Sequence, residues 1–202
     1  MKMRTFFRQY MMVPFIIMVA AFIIVSILGY FGMLKFADTA QDILERFQDM
    51  VEQQGLIDDA GDVSCIKLFL NNFRATGMAA ILGIVPFLFL PILVLISNGA
   101  IMGALFSVLS NNGAELWKYL VAGILPHGIF EIPAICLGIT IGFQMCRFIC
   151  SKILDRGKLG SLKAGTFFLN ELKLFIFVAT PLLIIAAVIE SYITPILLNA
   201  VV

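Results

Sequence analysis

ILPHGIFEIPA, residues 124–134, holds the only histidine of the chain and a glutamate in surroundings that are otherwise apolar. Pro126, Gly128 and Pro133 lie in the same stretch. Leu125 and Ile132 each precede a proline and are pushed away from the α region, while Gly128 relaxes the backbone further. The pattern predicts a membrane helix broken at Pro126, His127 and Gly128. If the stretch is helical between the prolines, His127 and Glu131 stand at i and i+4, on one face and within reach of each other. A charged side chain at the centre of a membrane helix costs at least about 2.5–3.5 kcal/mol. The pair therefore has to be neutralised, paired or turned toward a polar cavity. Two roles stay open for it: capping the broken helix ends, or forming a solute or ion site.

The flanking sequence sets the class. Hydrophobic residues make up 61% of the chain and charged residues 13%, and mean hydropathy is +1.02. A soluble domain runs to about 45–50% apolar and about 25% charged, so the composition is that of an integral membrane protein. Residues 11–34 form an apolar run too long for a secretory leader, whose core is about 7–15 residues, and read as a retained first span. Residues 65–109 are nearly unbroken apolar sequence, enough for two spans hinged at IVPFLFLP with its Pro86 and Pro91. A fourth span covers about 120–149 and contains the opening motif, and a fifth covers 172–198. The fold class expected is all-α integral membrane with about five transmembrane helices. It divides into a first span plus an external amphipathic helix (1–64) and a transmembrane core (65–202).

Between the first two spans, DTAQDILERFQDMVEQQG repeats Ile43, Leu44, Phe47, Met50 and Val51 at helical spacing, with acids on the other face. Asp38 or Thr39 is the expected N-cap and Gly55 the expected stop of this surface helix. Lys2, Arg4 and Arg8 precede the first span, and Arg147, Lys152, Arg156, Lys158, Lys163 and Lys173 gather around the loop after the fourth. Basic residues concentrate in cytoplasmic loops. The expected protein is a multi-pass plasma-membrane protein with a cytoplasmic N-terminus and the 35–67 segment outside. Trp117 and Tyr119 read as interfacial anchors near the NNG loop.

Gly99 and Gly103, and Gly138 and Gly142, each clear one helix face at four-residue spacing. The expectation is that these two spans touch, with Asn98 placed to hydrogen-bond with the broken segment. Arg74 and Glu190 fall at comparable depth, so Arg74 either snorkels outward or pairs with Glu190. HGIFE lacks the second histidine of the HExxH zinc pattern, and Cys146 and Cys150, though at i and i+4, have no further partners, so no metal site is expected. No nucleophile has a partner set and no cofactor motif is present, so no enzyme activity and no cofactor are expected.

NNFRATGMAAILGIVP (71–86), ILVLISNGAIMGALF (92–106), ILPHGIFEIPAICLGITIGF (124–143) and IESYITP (189–195) occur in an order that resembles the stage II sporulation protein M family of integral membrane proteins. The most specific pieces are Asn98-Gly99, Pro126-His127-Gly128 and the following Glu131. In spore-forming bacteria the members named for the process act in forespore engulfment, where the membrane protein resembles a scaffold for peptidoglycan-cleaving partners. The resemblance implies a non-enzymatic membrane scaffold or assembly factor linked to envelope remodelling. The alternative is a small permease or channel with His127, Glu131 and Asn98 lining its path. The partners expected are the lipid bilayer and either further copies of this chain or other envelope proteins, with no nucleic acid.

Overall fold

The computed structural model describes residues 2–53 and 64–201. Every element among them is helical. In chain order these are α1 (Met3–Met33), α2 (Ala37–Gln53), α3 (Cys65–Leu82), α4 (Pro91–Asn111), α5 (Leu116–Ile153), the single turn α6 (Gly157–Gly160) and α7 (Ala164–Val201).

Four of these helices, α1, α4, α5 and α7, are long and apolar enough to cross a membrane. The fifth expected span, α3, is 18 residues long and carries Lys67, Asn71, Asn72 and Arg74. At about 1.5 Å per residue it is about 27 Å long, a little short of a hydrocarbon core of about 30 Å. The apolar helices also run further than their hydropathy suggests. α1 begins at Met3 rather than near residue 11, α5 covers 116–153, and α7 starts at Ala164. α2 begins at Ala37, which places Asp38 in its first turn, where a carboxylate suits the positive end of the helix dipole, and not at the cap. The expected stop at Gly55, and Asp58, Asp59 and Asp62 beyond it, lie outside the described residues.

α5 is the central post. It packs against α1, α3, α4 and α7, and residues 134–142 are buried in an unbroken row. A helix apolar on all sides belongs in the middle of a bundle. α1, by contrast, turns Ile16, Ile17, Ile23, Ile24, Ile27 and Leu28 outward, a surface with no use for water. Near the loop after α5 the packing is aromatic. Phe148 stacks on Phe167 at 4.2 Å between ring centroids, and Phe6 meets Phe167 edge-on at 5.7 Å.

The break expected at Pro126-His127-Gly128 is absent. α5 stays helical through both prolines, with a π-helical turn at Tyr119–Ile124 and regular α geometry from Leu125 to Ile153. The same device recurs among the described residues at Phe7–Met11, Phe175–Ala179 and Ile189–Ile193. Each wide turn is closed by an N–H bonding the carbonyl five residues back: Met12 to Phe7, Leu125 to Leu120, Thr180 to Phe175, Thr194 to Ile189. A proline follows one or two residues later in all four cases, namely Pro14, Pro126, Pro181 and Pro195. A proline ring collides with the carbonyl four residues earlier and donates no hydrogen bond, at a cost of about 3 kcal/mol in a regular helix. Widening the preceding turn by one residue removes the collision without ending the helix. The Thr180 hydroxyl adds a second bond to the Phe175 carbonyl, 3.0 Å long.

The hinge between α3 and α4 occupies residues 83–90, where it was expected, and there the chain does leave the helix. Phe87 and Phe89 take positive φ of 66° and 47°, a region uncommon for residues with a side chain. Two cysteines of α5 bond its backbone. The Phe87 N–H donates to Cys150 Sγ at 3.2 Å, and Cys146 Sγ donates to the Val85 carbonyl at 3.5 Å. All four cysteines are free thiols.

Both glycine pairs make close helix contacts, but with different partners. A Cβ on Gly103 would stand 2.7 Å from Gly29 C and Tyr30 N of α1, and one on Gly99 would stand 2.8 Å from Val25 Cγ1. A Cβ on Gly138 would meet the Thr76 carbonyl of α3 at 2.7 Å, and one on Gly142 would meet the Ala79 carbonyl and Pro91. The two spans that carry these motifs, α4 and α5, do pack against each other as expected, but the glycines serve other neighbours: Gly99 and Gly103 seat α4 on α1, and Gly138 and Gly142 seat α5 on α3. A small-residue pair says which face is cleared, not which helix fills it.

Candidate functional site

His127 and Glu131 follow the wide turn Tyr119–Ile124, so that a regular α segment carries both, one turn apart on one face. Nε2 of His127 lies 3.8 Å from Oε2 of Glu131, and their side chains are only 13% and 19% exposed. The other ring nitrogen, Nδ1, is 3.4 Å from Oγ1 of Thr194 on α7. The third member is Glu190, which sits inside the wide turn Ile189–Ile193 of α7. One donor atom each of His127, Glu131 and Glu190 falls within 4.8 Å of the others. An extra residue in a turn rotates the chain beyond it by about 100°. The wide turn thereby sets where Glu190 and Thr194 stand relative to each other on α7.

Glu131 and Glu190 both line a cavity of about 520 Å³ enclosed by α2, α3, α4, α5 and α7. Asn71, Asn72, Ser97 and Asn98 supply its other polar walls, and Phe47 and Met50 of the amphipathic α2 contribute an apolar side. Asn98 lies in this cavity with Glu131 but does not bond the α5 segment as expected. Its Nδ2 donates to the Val94 carbonyl at 2.8 Å, which leaves its Oδ1 as the group it can offer. Asn72, on the same wall, is 9% exposed.

Glu190 is not paired with Arg74. Among the described residues the ion pairs are Lys118–Glu115 and His127–Glu131, and Arg74 is exposed. Two ionised carboxylates within 4.8 Å of each other repel by roughly 3.5 kcal/mol at an effective permittivity of about 20. Such a pair holds together only with a positive charge or protons among the three groups. Glu190 stands out in the sequence as an ionisable residue at the depth of Arg74, but the residues around it do not say that it faces His127. Glu171 is a further acid of α7 and is fully buried, 2% exposed, with no partner for either carboxylate oxygen.

Long apolar helices packed around a polar-lined cavity define a multi-pass membrane protein with an ionisable cluster inside its bundle. The model of the family described as stage II sporulation protein M matches residues 12–195, and the chain belongs to that family. It is also 36% identical over 104 residues to an uncharacterised protein of Methanocaldococcus jannaschii, a stretch covering 50% of this chain and 54% of that one. The match thus spans about half the length of that relative. No solved structure matches the chain.

Proposed function

We propose that this protein is a small permease-like membrane protein that binds a positively charged solute between Glu131 and Glu190 and passes it across the membrane. The observation that carries the reading is one arrangement: two carboxylates on a cavity of about 520 Å³ that also exposes amide groups, with the His127 imidazole behind them and all three donors within 4.8 Å. A bundle that needed only to pack would fill this space with apolar side chains, because each charge placed at membrane depth costs at least about 2.5–3.5 kcal/mol. Intramembrane acids that face a polar cavity mark solute and proton paths. In this reading the N-terminus and the loop at 154–163 are cytoplasmic, α3 crosses as a fifth span, and α2 lies on the outer face as a cover for the cavity. The membrane is the plasma membrane, and no covalent chemistry is involved.

Charge movement across sealed membranes tests it. Purified full-length protein in liposomes on a solid-supported electrode is pulsed with K⁺, Mg²⁺, Mn²⁺, Zn²⁺ or methylammonium. The reading expects a transient current with at least one of these, lost in a Glu131→Gln/Glu190→Gln variant that keeps its helical content and its size-exclusion profile. A folded wild type that moves no charge with any of them would instead favour the scaffold role implied for the family.

A further inference from the structure

We propose that His127, Glu131 and Glu190 are the ligands of a divalent transition-metal ion of the Zn²⁺ type, held at the wall of the cavity that the two glutamates line. The proposal builds on the solute-site reading above and adds the chemical identity of what is bound.

The donor set points to this class of ion. One imidazole nitrogen and two carboxylates suit borderline divalent metals, which take nitrogen at about 2.0–2.1 Å and oxygen at about 2.0–2.2 Å. Ligand atoms around such an ion stand roughly 3.3–3.5 Å apart. His127 Nε2 and Glu131 Oε2 are already at 3.8 Å, and all three donors fit within 4.8 Å, so rotation of the carboxylates closes the set. The imidazole is oriented for it. Nδ1 faces Thr194 Oγ1 at 3.4 Å, which leaves Nε2 as the nitrogen turned toward Glu131, as outer partners of metal-bound histidines do. Charge matches as well, since two carboxylates and a neutral imidazole carry the −2 that a dication cancels, leaving no net charge to bury.

A second and independent observation lies across the cavity. Asn72 is 9% exposed and lines the same cavity as both glutamates. An ion keeping one or two waters in its open positions would place a water for the Asn72 amide to bond, and a second for Asn98 Oδ1. Other ligands fit less well. Ca²⁺ takes 6–8 oxygens and Mg²⁺ near-ideal octahedral oxygen geometry, and neither favours imidazole. A methylated ammonium would have to enter between three donors that are within 4.8 Å of one another. Cys146 and Cys150 are engaged with the hinge backbone, so a thiolate site is not the competitor. Sequence reasoning excluded a metal because HGIFE supplies two ligands, and the third comes from α7.

The test is equilibrium Zn²⁺ binding to full-length protein in lipid nanodiscs, in a large excess of Mg²⁺, with X-ray absorption at the zinc edge. The expected result is one Zn²⁺ per chain, a first shell of nitrogen and oxygen containing one imidazole, and at least about tenfold weaker binding in His127→Ala, Glu131→Gln and Glu190→Gln. The wild-type spectrum reads the site even where a variant fails to fold. A sulfur-containing shell, binding unchanged in folded variants, or no Zn²⁺ binding above the Mg²⁺ background would overturn the proposal. Zn²⁺ bound in this way with no current on the electrode would support the metal site and overturn the permease reading. Currents with K⁺ or methylammonium and no Zn²⁺ binding would do the reverse.

Discussion

Gln144 of α5 donates its side-chain amide to the backbone carbonyl of Tyr10 in α1. Tyr10 is the residue four before Pro14, so its carbonyl is the acceptor that the proline leaves without its usual N–H. Arg147 Nη1 donates in turn to Gln144 Oε1 at 2.9 Å, which fixes the amide's orientation. A sequence defect in one helix is thus satisfied by a side chain of another. Gln144→Leu should lower stability in detergent by about 1–3 kcal/mol, because it strands a buried carbonyl. In a Pro14→Ala background, where the replaced residue supplies a backbone N–H for that carbonyl, the same substitution should cost clearly less. The thermal midpoints of the four proteins in this cycle measure the difference, and equal losses in both backgrounds would show that the two sites are independent.

The glycines make a prediction about additivity. Gly103→Ala presses a methyl group on the α1 backbone, and Gly138→Ala presses one on the Thr76 carbonyl. Each should destabilise by about 1–3 kcal/mol through overpacking. Because the two contacts belong to different helix pairs, the double mutant should lose the sum within about 0.5 kcal/mol. A clear departure from the sum would mean that the two glycine faces share an interface after all.

Orientation can be read with fusions. A reporter active only outside the cytoplasm should be active after Ala114, in the loop between α4 and α5, and silent after Lys158, in the basic loop before α7. Activity after Lys158 would reverse the bundle and with it the side from which the cavity is reached.

How much of this was legible depends on whether the physics was local. Helices, hinge and membrane class follow from apolar runs and proline positions, which act over a few residues. The effect of Pro126 was misjudged for a reason outside that range. A proline forbids one hydrogen bond, but it does not say whether the helix ends or widens its previous turn, and in a bundle with no water to take the freed groups, widening wins. His127 and Glu131 could be paired on paper because helical spacing couples i and i+4. Glu190 could not be joined to them, because its depth was readable from α7 but the face it presents depends on the wide turn at Ile189–Ile193. Gly99 and Gly138 show the same limit: the contact of α4 with α5 is as expected, but spacing identified only cleared faces, and the assembled bundle assigned α1 to one and α3 to the other.

The central claim is that two acids from different helices act as one site. A double-mutant cycle of Glu131→Gln and Glu190→Gln, followed by thermal unfolding in nanodiscs with chelator present, tests it most directly. Both substitutions keep side-chain shape and remove a charge, and each relieves the same repulsion. The account predicts that the double mutant departs from the sum of the single changes by more than about 0.5 kcal/mol, with the second substitution gaining less than the first. Additive changes within that margin would contradict it, since they would place the two carboxylates in separate surroundings.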